Sequence, residues 1–495
     1  MSLINVSNLT FAYDGSYDNI FENVSFQLDT DWKLGFIGRN GKGKTTFLRL
    51  LLGEFRYQGK ISSSVDFEYF PYKVTDENDL AVDIVEEICG SYELWQLKKE
   101  LSQLGLSDEV LYRPFCTLSN GERTKILLCA LFMKENSYLL IDEPTNHLDV
   151  QARKLVSEYL NSKHGFILVS HDRTFLDSCV DHVLAINRND IEVQKGNFTS
   201  WKTNKDYRDS FEQAENEKLK KEIKHLNSAA KRTADWSDKA ERSKIGFNPL
   251  NVEKSISRRS YEGAKAKKAM SRSKAIIQRQ ENALDEKSKL LKNIETVDSL
   301  KICPAEYFTD NIVRLENVTI SYDDNTVCKG ISFEVKQGER VALKGRNGCG
   351  KSSVIKLICG ENIDYTGKLV KNNRLKISYV SQDTSQLSGG MSDYAEKMGI
   401  DESLFKAILR KLDFSRIQFE KNMEDLSGGQ KKKVLIASSL CESANLYIWD
   451  EPLNFIDVFS RIQIEELLLK YKPTMLFVEH DNSFCDKIST KIVEI

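Results

Sequence analysis

The sequence predicts an α/β protein with a duplicated domain and a long helical hairpin between the two copies. Four short motifs occur twice along the 495 residues, in the same order and at nearly the same spacing. Each copy alternates short apolar runs with stretches of helical periodicity. The residues between the copies carry an excess of positive charge and place apolar residues at coiled-coil intervals.

The internal repeat sets the expected domain boundaries. Lys44 precedes Ser119 by 75 residues, and Lys351 precedes Ser427 by 76. We therefore expect a first domain at 1–202, a linker at 203–300 and a second domain at 301–495. The repeated motifs are GRNGKGKTT (38–46) and GRNGCGKSS (345–353), LSNGERTK (118–125) and LSGGQKKK (426–433), YLLIDEPTNHLD (138–149) and LYIWDEPLNFID (446–457), and ILVSHD (167–172) and LFVEHD (476–481).

The order of elements around these motifs is typical of an α/β domain. WKLGFIG and RVALKG are short apolar strands that run into glycine loops, and the segments that follow have apolar residues at helical spacing and end at glycine. SYLLIDE and NLYIWDE have the length of buried strands and end in two acids.

The segment between the copies predicts two long antiparallel helices. A loop at the tip, near 245–253, contains the helix breakers glycine and proline. The apolar residues at helical spacing are Leu219, Ile223, Leu226 and Ala230, and those that recur at every seventh position are Met270, Ile277, Leu284 and Leu291.

Charge is concentrated in this linker. Residues 218–279 contain 18 Lys and Arg against 6 Asp and Glu, although the net charge of the whole chain is only -2. Like charges at this density repel one another and favour contact with a polyanion.

Other features of the composition exclude several classes of protein. No apolar run approaches the roughly 18 residues that span a bilayer, and the N-terminus lacks the basic and apolar blocks of a signal peptide. The ten cysteines are scattered without a CxxC pair. We therefore expect reduced thiols in a cytoplasm, with no membrane segment, disulfide, zinc site or iron–sulfur cluster.

The first motif of each copy fits G-x-x-x-x-G-K-[ST], the P-loop that binds nucleotide phosphates at a helix N-terminus. Lys44 and Lys351 are expected to reach the β- and γ-phosphates of ATP, and Thr45 and Ser352 to bind Mg²⁺. The predicted nucleotide-binding residues of the two loops are Gly38, Asn40, Gly41, Gly43, Lys44, Thr45 and Thr46, and Gly345, Asn347, Gly348, Gly350, Lys351, Ser352 and Ser353.

The third and fourth motifs supply candidate catalytic groups. The first acid after each apolar strand, Asp142 or Asp450, is expected to bind Mg²⁺. The second acid, Glu143 or Glu451, is suited to deprotonate the attacking water. His171 and His480 recur at the same place in both copies and are candidates for sensing the γ-phosphate.

These motifs together resemble the ATP-binding-cassette ATPases over essentially all of both repeats. LSNGE and LSGGQ are similar to the signature that distinguishes this family from other P-loop proteins. The resemblance implies two P-loop ATP-binding-cassette nucleotide-binding domains that enclose two ATP molecules. Lys44 would face the signature residues Ser427, Gly428 and Gly429, Lys351 would face Ser119, Asn120 and Gly121, and Tyr13 and Tyr322 would stack on adenine.

One departure from the family pattern separates the two copies. Gln382 in SYVSQD matches the glutamine that the family uses near Mg²⁺, whereas EYFPYK places Tyr72 at that position in the first copy. The two sites are therefore expected to differ in rate, although both should bind ATP.

The linker narrows the resemblance to the ABC-F subfamily, whose members act on the ribosome. KGNFTSW (195–201) and the basic AKAKKAMSRSKAIIQR (264–279) are similar to the linker of these proteins. The length of the linker resembles the Lsa-like antibiotic-resistance branch. This resemblance implies a bacterial cytoplasmic monomer that binds the ribosomal exit-tRNA site through rRNA and exit-site or peptidyl tRNA. It further implies that the tip, around Phe247, Pro249 and Leu250, approaches the peptidyl-transferase centre and counteracts lincosamides, pleuromutilins and streptogramin A.

Two alternatives remain at this point, and a third is excluded by length. The chain could be a housekeeping ABC-F translation factor, or the ATPase component of a drug exporter whose membrane partner is a separate chain. A DNA-repair or chromosome-organising ATPase would place a much longer coiled coil between the P-loop and the signature, and the 75-residue span leaves no room for one.

Overall fold

The structure is a computed structural model that describes residues 2–13, 19–90, 92–146, 148–186, 191–245, 268, 271, 279, 300–302, 304–305, 307–322, 325–346, 348–372 and 374–495. The chain divides into two compact units: Met1–Trp201 together with Val297–Ile495, and Lys202–Thr296. We call 1–201 the first cassette and 297–495 the second cassette.

The first cassette combines two sheets with surrounding helices. Its elements are β1 (Leu3–Phe11), β2 (Phe21–Asp29), β3 (Lys33–Ile37), α1 (Lys44–Leu51), β4 (Gln58–Ser62), β5 (Asp66–Phe70), α2 (Ala81–Cys89), α3 (Leu94–Gln103), α4 (Asn120–Met133), β6 (Ser137–Asp142), α5 (Val150–Ser162), β7 (Phe166–Val169), α6 (Arg173–Cys179), β8 (His182–Ile186) and β9 (Ile191–Lys195). The strand orders are β2-β1-β4 in an antiparallel sheet and β5-β6-β7-β3-β8-β9 in a sheet that is parallel from β5 to β8. The last pair of the second sheet, β8 and β9, is antiparallel.

The second cassette repeats this plan. Its elements are β10 (Asn311–Tyr322), β11 (Asn325–Lys336), β12 (Arg340–Lys344), α8 (Lys351–Cys359), β13 (Tyr365–Lys371), β14 (Ile377–Val380), α9 (Met391–Met398), α10 (Glu402–Lys411), α11 (Arg416–Phe419), α12 (Gly428–Cys441), β15 (Leu446–Asp450), α13 (Val458–Tyr471), β16 (Met475–Val478), α14 (Asn482–Ile488) and β17 (Lys491–Glu494). The strand orders are β11-β10-β13 and β14-β15-β16-β12-β17. The predicted α/β fold of both copies is therefore confirmed.

The central strands are apolar in their middle because both faces of the parallel sheet are covered. In the first cassette, one face packs against α1 and the antiparallel sheet, where Phe36 and Phe47 are fully buried. The opposite face packs against the helices from α2 to α6, where Ile141 and Leu168 are fully buried. Burying both faces fixes the register of these strands and hence the positions of the loops that follow them.

The parallel strands end at the same edge of each sheet. In the first cassette this edge carries the P-loop after β3, Asp142 at the end of β6 and His171 after β7. The second cassette places the P-loop after β12, Asp450 and His480 in the same way. Ligands of open α/β sheets bind at this edge.

The other unit contains most of α7 (Phe198–Ile245), a helix of 48 residues. At 1.5 Å per residue it is about 72 Å long. Lys268, Ser271 and Arg279 are also helical. The predicted seam at Met270, Ile277, Leu284 and Leu291 and most of the predicted tip loop lie outside the described residues. No helix among the described residues has the length and apolar character needed to cross a membrane.

Candidate nucleotide-binding sites

Each P-loop joins a buried strand to the first turn of a helix. Gly43, just before α1, has a φ of 97°, and Gly350, just before α8, has a φ of 95°. Glycine adopts this conformation without steric cost. A Cβ on Gly43 would lie 2.5 Å from Ile20 Cγ2. Both loops therefore present backbone N–H groups at a helix N-terminus, which is an anion-binding arrangement.

The two P-loop lysines lie folded over their own loops. Lys44 Nζ donates to Gly38 O at 2.6 Å and to Asn40 Oδ1 at 3.2 Å. Lys351 Nζ donates to Gly345 O at 3.0 Å. Burial lowers the pKa of Lys44. The other predicted phosphate-binding residues on these loops and the following helix turns are Gly41, Thr45, Thr46, Gly348, Ser352 and Ser353, while Asn347 lies outside the described residues.

The predicted Mg²⁺ ligands come together at both sites. Thr45 Oγ1 donates to Asp142 Oδ2 at 3.0 Å, and the Ser352 hydroxyl lies near the carboxylate of Asp450. Asp450 Oδ1 is buried and has no hydrogen-bond partner among the described residues. Mg²⁺ prefers hydroxyl and carboxylate oxygens of this kind, so the donor set fits the ion.

The candidate catalytic glutamates have the same backbone geometry but different electrostatic surroundings. Glu143 and Glu451 both have positive φ, 53° and 46°, which is a strained conformation for a non-glycine residue. His171 Nε2 lies 3.3 Å from Glu143 Oε1, and His480 Nε2 lies 3.3 Å from Glu451 Oε1. Burial, with the nearby Asp142, raises the pKa of Glu143 to about 8. Burial acts in the same direction on Glu451, but the hydrogen bond with His480 and nearby cations lower its pKa overall.

The two signature segments begin helices α4 and α12. Ser119 Oγ accepts from the backbone N–H of Glu122, whose side chain accepts in turn from the backbone N–H of Ser119. Ser427 and Gln430 form the same reciprocal pair. This is a capping box, which satisfies two of the free donors at a helix start. The Glu or Gln that ends each signature therefore has a structural role that the motif alone did not reveal.

The second site is a cavity of about 630 Å³ between the cassettes. Lys351, Ser352 and Ser353 line it from the second cassette, and Ser119, Asn120 and Gly121 from the first. Gln382, Glu451 and His480 line the same cavity. The structure therefore brings the second P-loop opposite the first signature, as the resemblance implied.

At the first site, the P-loop contacts the opposite cassette directly. Asn40 Nδ2 donates to Phe455 O at 2.9 Å. A Cβ on Gly429 would lie 3.2 Å from Asn40 Nδ2 and 2.4 Å from Phe455 O, so glycine is required for this close approach. Gly428, the preceding signature residue, lies beside the Phe455 ring. The first P-loop is thus opposite the second signature.

The two candidate adenine-stacking tyrosines lie beside the P-loops and are partly exposed. Tyr13 OH and Thr46 Oγ1 are 2.8 Å apart, and Tyr322 OH donates to Ser353 Oγ at 3.2 Å. The exposed fractions of the two residues are 43% and 44%. Each ring therefore offers a partly open face next to the loop that would hold the phosphates.

The position of the family's glutamine differs between the sites. Gln382 Nε2 donates to Glu451 Oε2 at 2.8 Å, so it orients the candidate base. Tyr72, at the corresponding place in the first cassette, directs its hydroxyl to Glu87 Oε1 at 3.4 Å. A different residue, Tyr69, donates to Asp142 Oδ2 at 2.9 Å. Burial, with the nearby Asp142, raises the pKa of Tyr69, which keeps this donor protonated.

Cross-cassette contacts beside the first site are ionic and apolar. Arg173 at the start of α6 forms a buried, two-pronged salt bridge with Glu465 of α13. Arg39 of the first P-loop pairs with Asp413 and lies over the ring of Phe459. Phe459 also packs against Trp201 of the first cassette. We call the pairs Arg173–Glu465 and Arg39–Asp413, together with Phe459, the latch.

The corresponding positions beside the second site cannot form these contacts. The residues that match Arg173, Glu465, Asp413 and Phe459 in the repeat are Asn482, Ser157, Gly105 and Gln151. Arg346, the match of Arg39, lines a cavity of about 320 Å³ together with Gln151 and Asn482. The interface is therefore packed on one side and open on the other.

Each of the two phosphate loops lies opposite a signature segment of the other cassette. This is the arrangement of an ATP-binding-cassette ATPase. The sequence matches the ABC transporter family at residues 21–146 and 328–454. The chain belongs to this family, which hydrolyses ATP with Mg²⁺. Its relatives place it in the ABC-F subfamily.

Three similar proteins indicate the breadth of this relationship. The ribosome protection protein VmlR of Bacillus subtilis (strain 168) is 28% identical, covering 98% of this chain and 85% of VmlR. The energy-dependent translational throttle protein EttA of Haemophilus influenzae is 25% identical, covering 96% of this chain and 89% of EttA. The archaeal ribosome recycling factor aABCE1, solved with the ribosomal stalk protein aP1, shares the fold with a TM-score of 0.63 at 18% identity, covering 98% of this chain and 87% of aABCE1.

Proposed function

We propose that this protein is an ATP-dependent ribosome protection protein. It would bind the exit-tRNA site, extend its linker toward the peptidyl-transferase centre and counteract lincosamides, pleuromutilins or streptogramin A. The observation that carries the proposal is the similarity to VmlR over 98% of the chain, linker included. The expected setting is a bacterial cytoplasm, with the protein acting as a monomer.

The linker is suited to RNA by charge and by length. Its 18 Lys and Arg against 6 Asp and Glu in residues 218–279 would neutralise phosphates of large-subunit rRNA and of an exit-site or peptidyl tRNA. Helix α7 alone is about 72 Å long at 1.5 Å per residue, which is long enough to reach deep into a ribosomal cleft.

In the proposed cycle, bound ATP would hold the two cassettes together. The P-loop and signature residues would hold nucleotide across the interface and so favour the closed form. Glu143 and Glu451, with His171 and His480, would position and deprotonate water, and hydrolysis would allow reopening. Because the latch holds only the first side, we propose that closure takes place mainly at the cavity of the second site.

A second candidate function is that of a housekeeping translation factor. The 25% identity to EttA over 96% of the chain favours it, since the same cassettes and linker would serve on a ribosome without a drug. The two functions differ in one outcome, which is whether the protein changes drug sensitivity.

Expression in a susceptible bacterium tests the proposal. Wild-type protein should raise the inhibitory concentrations of lincomycin or tiamulin, and the Glu143→Gln, Glu451→Gln double variant should not. Radiolabelled drug should accumulate in the cells to the same level with and without the protein, because protection does not export it. Unchanged inhibitory concentrations would favour the translation factor, and lowered accumulation would favour an exporter ATPase.

A further inference from the structure

Tyr69 forms a hydrogen bond with Asp142, the proposed metal ligand of the first site. It lies on β5, one residue before the strand ends, and pairs in register with Leu140 of β6. From there its hydroxyl donates to Asp142 Oδ2 at 2.9 Å. The same oxygen accepts from Thr45 Oγ1 at 3.0 Å. Two donors on Oδ2 fix the rotation of the carboxylate and leave Oδ1 directed elsewhere.

The second cassette has the same residue type with a different contact. Tyr379 lies on β14 in the equivalent register, opposite Ile448 of β15. Its hydroxyl lies near Asp450 and Ser381 but forms no hydrogen bond with Asp450 among the described residues. In this cassette Gln382 donates to Glu451, and Asp450 Oδ1 has no hydrogen-bond partner among the described residues. The tyrosine–aspartate hydrogen bond therefore occurs at the site that lacks the glutamine.

We propose that Tyr69 is a positioning residue for Asp142, the proposed metal ligand of the first site. A hydrogen bond to a carboxylate in a partly buried place is stronger than an ordinary one, because the acceptor is charged. Losing it would free the carboxylate to rotate and would weaken its grip on Mg²⁺. The inference rests on the proposed role of Asp142 as a metal ligand.

The test measures metal affinity directly. Mn²⁺ replaces Mg²⁺, and its binding in the presence of ATP is followed by electron paramagnetic resonance, using full-length protein with Lys351→Ala to limit nucleotide to the first site. Tyr69→Phe keeps the ring and removes the hydroxyl. It should raise the Mn²⁺ concentration for half-saturation roughly tenfold. ATP binding in EDTA should change less than about twofold, because the P-loop is untouched.

The matched control is Tyr379→Phe in a Lys44→Ala background, where Mn²⁺ affinity at the second site should change less than about twofold because no bond to Asp450 is lost. If Tyr69→Phe lowers the melting temperature but leaves Mn²⁺ affinity unchanged, the Tyr69 hydroxyl only stabilises the fold. That result would overturn the proposal. An equal loss in both tyrosine variants would overturn it as well. Asp142→Asn tests the proposed role of Asp142 separately from the inference about Tyr69. If Asp142→Asn leaves Mn²⁺ affinity intact, Asp142 is not a metal ligand, and the inference about Tyr69 fails with it.

Discussion

Arg173 of the first cassette and Glu465 of the second form a buried salt bridge between residues 292 positions apart in the sequence. Their side chains are 10% and 6% exposed. Asn482 and Ser157 stand at the corresponding places of the repeat, so the bridge occurs on one side of the pseudo-symmetric interface. A duplicated domain would otherwise be expected to give two equivalent interfaces.

This asymmetry predicts that a substitution in the latch destabilises the protein more than a substitution at the equivalent position on the other side. Arg173→Asn, which introduces the residue of the other copy, leaves Glu465 buried without its main partner. Removing one member of a buried pair costs about 3–5 kcal/mol. We expect a melting temperature several degrees lower, measured by calorimetry without nucleotide.

Asn482→Ala is the control for this prediction, because it changes the equivalent position on the open side. It should cost less than about 1 kcal/mol. In a double-mutant cycle, Arg173→Asn and Glu465→Ser should show strong coupling. Additive losses, or equal losses at Arg173 and Asn482, would mean that the latch does not hold the cassettes together.

The two catalytic glutamates should contribute unequally to turnover. Glu451 Oε2 accepts from Gln382 at 2.8 Å and from Asn454 at 2.6 Å, so the second base is held by two amides. The first cassette has Tyr72 in place of the glutamine, and its hydroxyl turns away to Glu87. A fixed base is the more effective one. Glu451→Gln should therefore lower steady-state ATP hydrolysis by about tenfold or more, and Glu143→Gln by less than about twofold.

The comparison between these variants has an internal control. Both should still bind ATP, measured with a fluorescent analogue, because neither glutamate contacts the P-loop backbone. If Glu143→Gln is the more damaging change, the order of the two sites proposed here is reversed.

The signature serines should affect both a helix cap and nucleotide turnover. Ser119 caps α4 and lines the second site. Ser119→Ala should cost about 1 kcal/mol of stability through the lost cap. It should also reduce ATP turnover roughly tenfold, because a hydroxyl that lines the second site is lost.

Asp401→Ala separates these two effects. Asp401 Oδ1 accepts from the backbone N–H of Leu404 and so caps α10, and Asp401 is not among the residues that line the cavity of the second site. It should lower stability to a similar degree and leave turnover within about twofold. Equal losses of turnover in both variants would show that the Ser119 effect comes from destabilisation alone.

Much of this fold was predictable because each motif occurs in both copies at nearly the same spacing. Strands before the P-loops, acids at strand ends and Gly43 at a positive-φ position all follow from local motifs, and the structure places them at one edge of each sheet. These features depend on residues near one another in the sequence. Local spacing therefore suffices to predict them.

The remaining features depend on contacts between distant residues. Tyr69 is an ordinary aromatic residue in a strand, and its role emerges only when β5 pairs with β6 and directs it to Asp142. The bridge between Arg173 and Glu465 needs the two cassettes to face each other. A position-by-position comparison of the copies would have shown that Asn482 and Ser157 replace these charges, and that difference was the available signal.

The charged linker should determine binding to ribosomes. Replacing Lys265, Lys267, Lys268 and Arg272 with Ala removes four of the positive charges in residues 218–279. Ribosome binding should weaken and become less sensitive to salt, because fewer counterions are released. ATP binding should stay unchanged, and its loss would indicate misfolding. Lys60→Ala with Lys397→Ala, two exposed lysines on the cassettes, serves as the charge control.

Co-sedimentation of the Glu143→Gln, Glu451→Gln protein with ribosomes through a sucrose cushion, with ATP and over a range of salt concentrations, is the most direct measurement of the central claim. We predict that the protein pellets with ribosomes at low salt and that it does so only with ATP. The variant with the four linker substitutions should stay mostly in the supernatant. Protein that stays in the supernatant at low salt with ATP would contradict the proposal that this ATPase acts on the ribosome.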